Sequence, residues 1–336
     1  MNLKKRVFIT ATGIIVIALA FVVCYAINTD EKINEEVKIP EYYNNTLATP
    51  YVPAELSFAG EKVPMDIYWV HENLEKELII IAYQHSKTLH TFKRSPRFFP
   101  VIEKILKEEG VPEDFKYLCV AESNLENVIS PAKATGYWQF LESTGKSFGL
   151  TINEDVDERY DLEKSTRAAC KYLRGCKGRL GSWALAAAAY NMGEAGLSKN
   201  MEKQQTNIYW DLYLNQETSR YLYRILAYKM IFEYPQQYGV KLCKADLYYP
   251  VPFKEYKVEE AIPDLYKFAQ NQGVTYLELK TLNPWLRNSK LTIGAQQYTI
   301  KLPEKPKTKF TELFNNVDKP CELLGDSMFH VKNRVD

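Results

Sequence analysis

A mainly helical protein with a small α+β module near its C-terminus, preceded by an N-terminal apolar helix, is what this 336-residue sequence predicts. Three observations carry that reading. Residues 7–27 hold no charge and are flanked by Lys4, Lys5 and Arg6 on one side and Asp30 and Glu31 on the other. Between 60 and 245, apolar residues recur at threes and fours with no alternating strand pattern. Beyond Pro250 and Pro252, the β-like ends Tyr256-Lys257-Val258 and Tyr298-Thr299-Ile300 enclose two short helical patterns, 264–272 and 276–282.

The first element sets the compartment. At about 1.5 Å per residue, a helix over 7–27 spans the roughly 30 Å hydrocarbon core of a bilayer. Basic residues before it and acidic ones after it predict an inside N-terminus with everything downstream exported. A cleaved signal peptide is the alternative, since Cys24-Tyr25-Ala26 ends on a small residue. The apolar run exceeds the usual h-region of about 7 to 15 residues, which favours an uncleaved anchor over 1–28.

Residues 29–60 carry Pro40, Pro50 and Pro53 among Asn, Thr and charges, and read as an extended linker. The segment 61–245 reads as one helical domain. Ile67, Val70, Leu74, Leu78, Ile81 and Ala82 form one stripe; Phe98, Val101, Ile102, Ile105 and Leu106 form a second that stops at Gly110. Pro112-Glu113-Asp114 opens the next helix, with proline first and acids in the first turn. Residues 165–177, 183–192 and 217–232 give three more. The α+β module occupies 256–303, and the tail 304–336 is polar without usable periodicity.

Composition narrows the function. Lys plus Arg number 43 and Asp plus Glu 42, a formal net charge of +1, which gives no electrostatic reason to expect nucleic acid as a partner. Gly is only 15 residues and Tyr 24, so phosphate-cradling loops are scarce and flat amphipathic rings suited to sugar faces abundant. Cys170 and Cys176 point some 240° apart on one helix, and Cys119 lies in an apolar run, so these three read as buried free thiols. His85 and His90 are five apart and do not share a helix face; no metal site and no cofactor are expected.

One carboxylate stands out. The helix begun at Pro112 runs through Phe115-Lys116-Tyr117-Leu118-Cys119-Val120-Ala121 to Glu122-Ser123 near its end. Apolar neighbours and the negative end of the helix dipole both disfavour the charged form there, so the pKa of Glu122 should be raised, as a proton-donating acid at neutral pH requires. By itself a Glu near a helix end is more often a solvated surface group.

Its surroundings give it context. Downstream stand Ser130-Pro131-Ala132-Lys133-Ala134-Thr135-Gly136-Tyr137-Trp138-Gln139-Phe140, then Ala189-Tyr190-Asn191-Met192-Gly193, then Glu217-Thr218-Ser219-Arg220-Tyr221. With Glu122-Ser123 ahead of them, these blocks resemble the soluble-lytic-transglycosylase domain of bacterial cell-wall enzymes, of goose-lysozyme-like fold. The resemblance covers roughly 110–235. Lys133 stands where glycine is common in that family. The 256–303 module resembles a degenerate LysM-like glycan-binding domain through Leu282-Asn283-Pro284, Gly294 and Ile300-Lys301-Leu302-Pro303; a spacer domain is the equal alternative.

The resemblance implies cleavage of the bond between N-acetylmuramic acid and N-acetylglucosamine in peptidoglycan glycan strands, leaving a 1,6-anhydro end. Glu122 matches the family's acid and then its base. Ser123, Ser130, Gln139, Tyr190, Asn191 and Tyr221 match substrate-side positions, with Tyr221 the tyrosine that hydrogen-bonds the acid. Core packing is an equal reading for Trp138 and Phe140, and Asn191 could simply cap its helix. A hydrolytic goose-type muramidase and a non-catalytic wall-binding scaffold are the alternatives. The expected location is the bacterial inner membrane, with the catalytic domain in the periplasm, or the periplasm itself if the signal is cleaved.

Overall fold

A computed structural model describes residues 48–294 and 297–313. The expected helix over 1–28, the linker as far as 47 and the tail from 314 lie outside the described residues. No helix among the described residues is long and apolar enough to cross a membrane.

The linker ends earlier than the sequence suggests. Strands β1 (Leu56–Phe58) and β2 (Glu61–Val63) pair antiparallel about Ala59 and Gly60, both at positive φ, the two-residue turn geometry that suits strand twist. Phe58 and Val63 are each 1% exposed, and Phe58 meets Phe115 edge-on at 5.2 Å. Strands of three residues are too short to leave an alternation in the sequence, which is why residues 56–60 read as spacer.

Helix α1 (Tyr68–Tyr83) buries Val70, Leu74, Leu78 and Ile81 along one stripe. Helix α2 (His85–Glu108) begins well before the apolar stripe at Phe98 and contains Pro96 and Pro100. An interior proline removes a helix donor. Here Ser95 Oγ donates to the Phe92 carbonyl at 2.8 Å, the acceptor that the amide at position 96 would have served. At its C-terminus Gly110, at φ 65°, donates to Lys107 O and Val111 N to Leu106 O, a Schellman arrangement that only a left-handed residue permits cheaply.

Helix α3 (Phe115–Ser123) is short and almost wholly buried. The turn at 112–114 precedes it rather than forming its first turn. The acids there serve ion pairs instead: Asp114 with Lys229 and Glu113 with Lys116. Around α3 the chain adds α4 (Glu142–Ser147), α5 (Leu162–Leu180), α6 (Trp183–Met192), α7 (Glu194–Gln204) and α8 (Gln216–Glu233). Asp161, Ser182 and Asn215 cap α5, α6 and α8 by accepting backbone N–H groups. Helix α8 packs on α1, α3 and α6, so α3 is enclosed by the rest of the bundle. Cys119, Cys170 and Cys176 are buried free thiols, in agreement with the sequence.

The small module is β3 (Phe253–Val258), α9 (Leu265–Asn271), α10 (Tyr276–Leu282) and β4 (Tyr298–Pro303). Its strands pair antiparallel from Phe253↔Pro303 to Val258↔Tyr298. Its core is not wholly its own. Val156 and Tyr160, from the loop after α4, are buried within the same cluster as Leu265, Leu279, Trp285 and Ile300. Asp157 N donates to Trp285 O at 2.9 Å and Arg287 N to Asp155 O at 2.8 Å. Buried Asp155 also accepts from Thr292 Oγ1 at 2.7 Å and Asn288 Nδ2 at 2.9 Å. The loop 151–160 is thereby shared between the helical body and the module.

Candidate active site

Glu122 lies in the last turn of α3, and the way that helix ends fixes its carboxyl. Asn124, at φ 51°, terminates the helix in the left-handed region, which asparagine tolerates better than most residues. Tyr228 Oη donates to Asn124 Oδ1 and Arg94 Nη1 to Asn124 O, both at 2.9 Å, so the cap is held from α8 and α2.

The carboxyl of Glu122 accepts a hydrogen bond from Tyr221 Oη on α8. Burial pushes its pKa up to about 7; the Tyr221 hydroxyl and the Arg224 guanidinium pull it down, and Glu217 pushes it further up. Desolvation is the largest of these effects and acts in the direction the sequence suggested. Arg224 is itself tethered: buried Glu77 of α1 accepts from Arg220 and lies 3.8 Å from Arg224 Nε.

The loop that follows α3 folds back to wall the cleft. Ser130 N donates to Ala134 O at 2.8 Å, Lys133 N to Ser130 O at 2.8 Å, and Ala134 N to Ser130 Oγ at 3.0 Å. Lys133 sits at φ 64°, the left-handed region, where glycine carries no steric penalty. Gly136 is obligatory on contact grounds: a Cβ there would stand 1.9 Å from the Arg159 carbonyl oxygen. Gln139 donates through Nε2 to Gly136 O at 2.8 Å and Val128 O at 3.0 Å. Trp138 is fully buried, its Nε1 bonded to Thr166 Oγ1 at 2.8 Å. Arg159 pairs with Asp157 and donates to Phe140 O at 3.2 Å, tying this loop to the segment shared with the module.

A cleft of about 460 Å³ opens over Glu122. Ser130, Gln139, Tyr190 and Asn191 line it with Glu122; Ser123 and Tyr221 do not. Tyr190 donates to Trp138 O at 2.8 Å, and its ring stands in a cluster with Phe140 and Tyr172. Asn191 accepts from Thr218 Oγ1 at 2.8 Å and donates to Glu217 at 3.3 Å, which bridges α6 to α8. Tyr221, 1% exposed, does not line the cleft and meets it through its bond to Glu122.

Ser123 corrects the sequence reading of it as a substrate contact. It is 2% exposed and donates to Tyr137 O at 2.7 Å, pinning the cleft loop to α3 from inside. Neighbours on a helix diverge by about 100°, so when Glu122 faces the cleft, Ser123 faces the core. Sequence reading missed Tyr172 and Met192 as lining residues and the electrostatic roles of Glu217 and Arg224. The spacing 217, 221, 224 on one helix face was the signal that could have found the last two. No cluster of His, Cys, Asp or Glu able to hold a metal occurs among the described residues.

Residues 99–213 match the transglycosylase SLT domain, and residues 254–306 match the soluble lytic transglycosylase C-terminal LysM-like domain. Over 259 residues the chain is 30% identical to the membrane-bound lytic murein transglycosylase D of Escherichia coli strain K12, covering 74% of this chain and 55% of that protein. The protein of the same description from Escherichia coli O6:H1 strain CFT073 gives the same identity and coverage. The chain spans about half the length of these curated relatives.

Proposed function

We propose that this chain, which carries a transglycosylase SLT domain over residues 99–213 and a LysM-like domain over 254–306, is a peptidoglycan lytic transglycosylase with Glu122 as its single acid and base. The observation that carries the reading is the state of that carboxyl: half-buried at the end of α3 on the cleft, fixed by Tyr221, with its pKa raised to about 7 by desolvation. A group in that state holds a proton near neutral pH and can take it back in the next step.

In the first step the Glu122 carboxylic acid donates its proton to the oxygen between N-acetylmuramic acid and N-acetylglucosamine as the bond to the anomeric carbon breaks. The carboxylate then accepts the proton of the muramic C6 hydroxyl while that oxygen bonds the anomeric carbon. The 1,6-anhydro product forms and the acid is regenerated. No water is consumed, so no second carboxylate is needed as base or nucleophile. Ser130, Gln139, Tyr190 and Asn191 form the sugar-facing wall, with their side chains already positioned by bonds to the surrounding backbone and helices.

One observation favours testing a hydrolytic muramidase as well: Glu217 is a second carboxylate in the cleft wall. The LysM-like domain adds affinity for the glycan strand in this reading, and the uncharged run at 7–27 anchors the chain in the inner membrane with the catalytic body in the periplasm. The test is digestion of sacculi by the full chain in detergent. Mass spectrometry of the soluble products should find anhydro-muropeptides. Reducing products, one water heavier, would establish the muramidase instead, and sacculus binding with no soluble product would establish a scaffold.

A further inference from the structure

A second cavity, of about 680 Å³, lies against the first half of α3 and the last turns of α8 and shares no lining residue with the cleft at Glu122. The reaction proposed above makes no use of it. Its two ammonium groups are largely committed: Lys229 Nζ donates to Ser57 O at 2.9 Å and to Asp114 at 2.8 Å, and Lys116 Nζ to Glu103 at 2.7 Å and to Glu113.

Two other groups are not. Tyr117, 1% exposed and lining the cavity, has a hydroxyl with no hydrogen-bond partner among the described residues. A buried hydroxyl left so carries a desolvation cost that no bond offsets. Glu233, on the α8 side, makes no hydrogen bond and no ion pair among the described residues. Both groups line the cavity, and among the charges that hold the Tyr117 phenol in its neutral form Glu233 acts most strongly. Burial, with Asp114 and Glu113 adding to it and Lys229 and Lys116 opposing, pushes Glu233 up to about 7. Counting the lining side chains, Glu55, Glu113, Asp114 and Glu233 outnumber Lys116 and Lys229, a surplus of negative charge.

We propose that this cavity is a binding site for a primary ammonium group, received by the Glu233 carboxylate and the phenolic oxygen of Tyr117. An ammonium brings three donors and no acceptor, which matches the unfilled acceptors of that pair. An anion would meet the surplus negative charge, and a neutral hydroxyl would leave the Glu233 charge uncompensated. The ammonium could come from the side-chain amine of an uncrosslinked wall peptide, a source that rests on the function proposed above, or from a free amine.

The test is saturation-transfer NMR of the full chain with n-butylamine hydrochloride, and with N-butylacetamide and butyrate as controls. The amine should give a saturable signal and the controls none. Glu233→Gln should weaken binding about tenfold or more, the usual scale for losing a hydrogen bond to a charged group. The nearly isosteric Tyr117→Phe should weaken it less, and Glu122→Gln should leave it unchanged. Equal signals from amine and acetamide, undiminished binding to Glu233→Gln, or no binding of the amine at all would overturn the proposal; the last would mean that water alone fills the cavity. A disaccharide peptide with a free side-chain amine, compared with its N-acetylated form and with free lysine, identifies the source. None of these readouts depends on glycan cleavage.

Discussion

Tyr221 on α8 donates its hydroxyl to Glu122 at the end of α3, a bond that runs from a buried phenol to a half-buried carboxyl opening on the cleft. This bond stabilises the carboxylate form and so opposes the desolvation that raises the pKa. Tyr221→Phe removes the opposition. The alkaline limb of the activity profile should therefore move upward by about one to two pH units, given about 1.5–3 kcal/mol for a charged hydrogen bond and about 1.36 kcal/mol per unit. The maximal rate should fall, because the carboxyl loses its fixed rotamer. A pH–rate profile of wild type and variant checks both.

Two charges near Glu122 should move that limb in opposite directions. Arg224 lowers the pKa and Glu217 raises it, so Arg224→Met should shift the limb up and Glu217→Gln should shift it down. Wild-type activity itself should decline as pH rises through about 7, because the acid loses its proton there. Glu217→Gln should stay active at pH 6, since no second carboxylate takes part. Loss of all activity in that variant at every pH would point to a hydrolytic base at 217.

Gly136→Ala should be among the most damaging single changes. Its Cβ would meet the Arg159 carbonyl at 1.9 Å with φ at 85°, and neither backbone can yield without moving the cleft loop. A loss of about 3 kcal/mol or more is expected by analogy with other strained or overpacked sites, read as a lower midpoint in urea unfolding.

Lys133→Gly should do the reverse. A non-glycine residue in the left-handed region carries roughly 1–2 kcal/mol of strain, partly offset by the extra unfolded-state entropy of glycine. A net gain of about 0.5–1 kcal/mol is expected in the same unfolding experiment. No change would mean that the bonds of Lys133 to Ser130, Thr135 and Arg159 already absorb the strain.

Much of the helical body is readable in the sequence because caps and stops are explicit there. Helix α6 runs over the expected residues, with Ser182 capping one end and Gly193 closing the other. Helix α2 extends further than its apolar stripe because Ser95 replaces the donor that Pro96 removes, a compensation that leaves no periodic signal. Helix α7 went unread because Leu197 is its only buried residue. Of the candidate site, Glu122 and most of the residues that line the cleft with it stand in ordered motifs. Ser123 is not, because a motif gives adjacency along the chain and not the face of the helix. The sharing of Val156 and Tyr160 with the C-terminal module depends on tertiary pairing that no local pattern encodes.

The most direct test of Glu122 as the single acid and base is digestion of sacculi in oxygen-18 water by the full chain and by Glu122→Gln, with products weighed by mass spectrometry. The wild type should release anhydro-muropeptides carrying no label, and the variant should release them more slowly by a factor of about 10² to 10⁴, the usual worth of a positioned acid–base group. Labelled reducing ends from the wild type, or undiminished anhydro product from Glu122→Gln, would contradict the account.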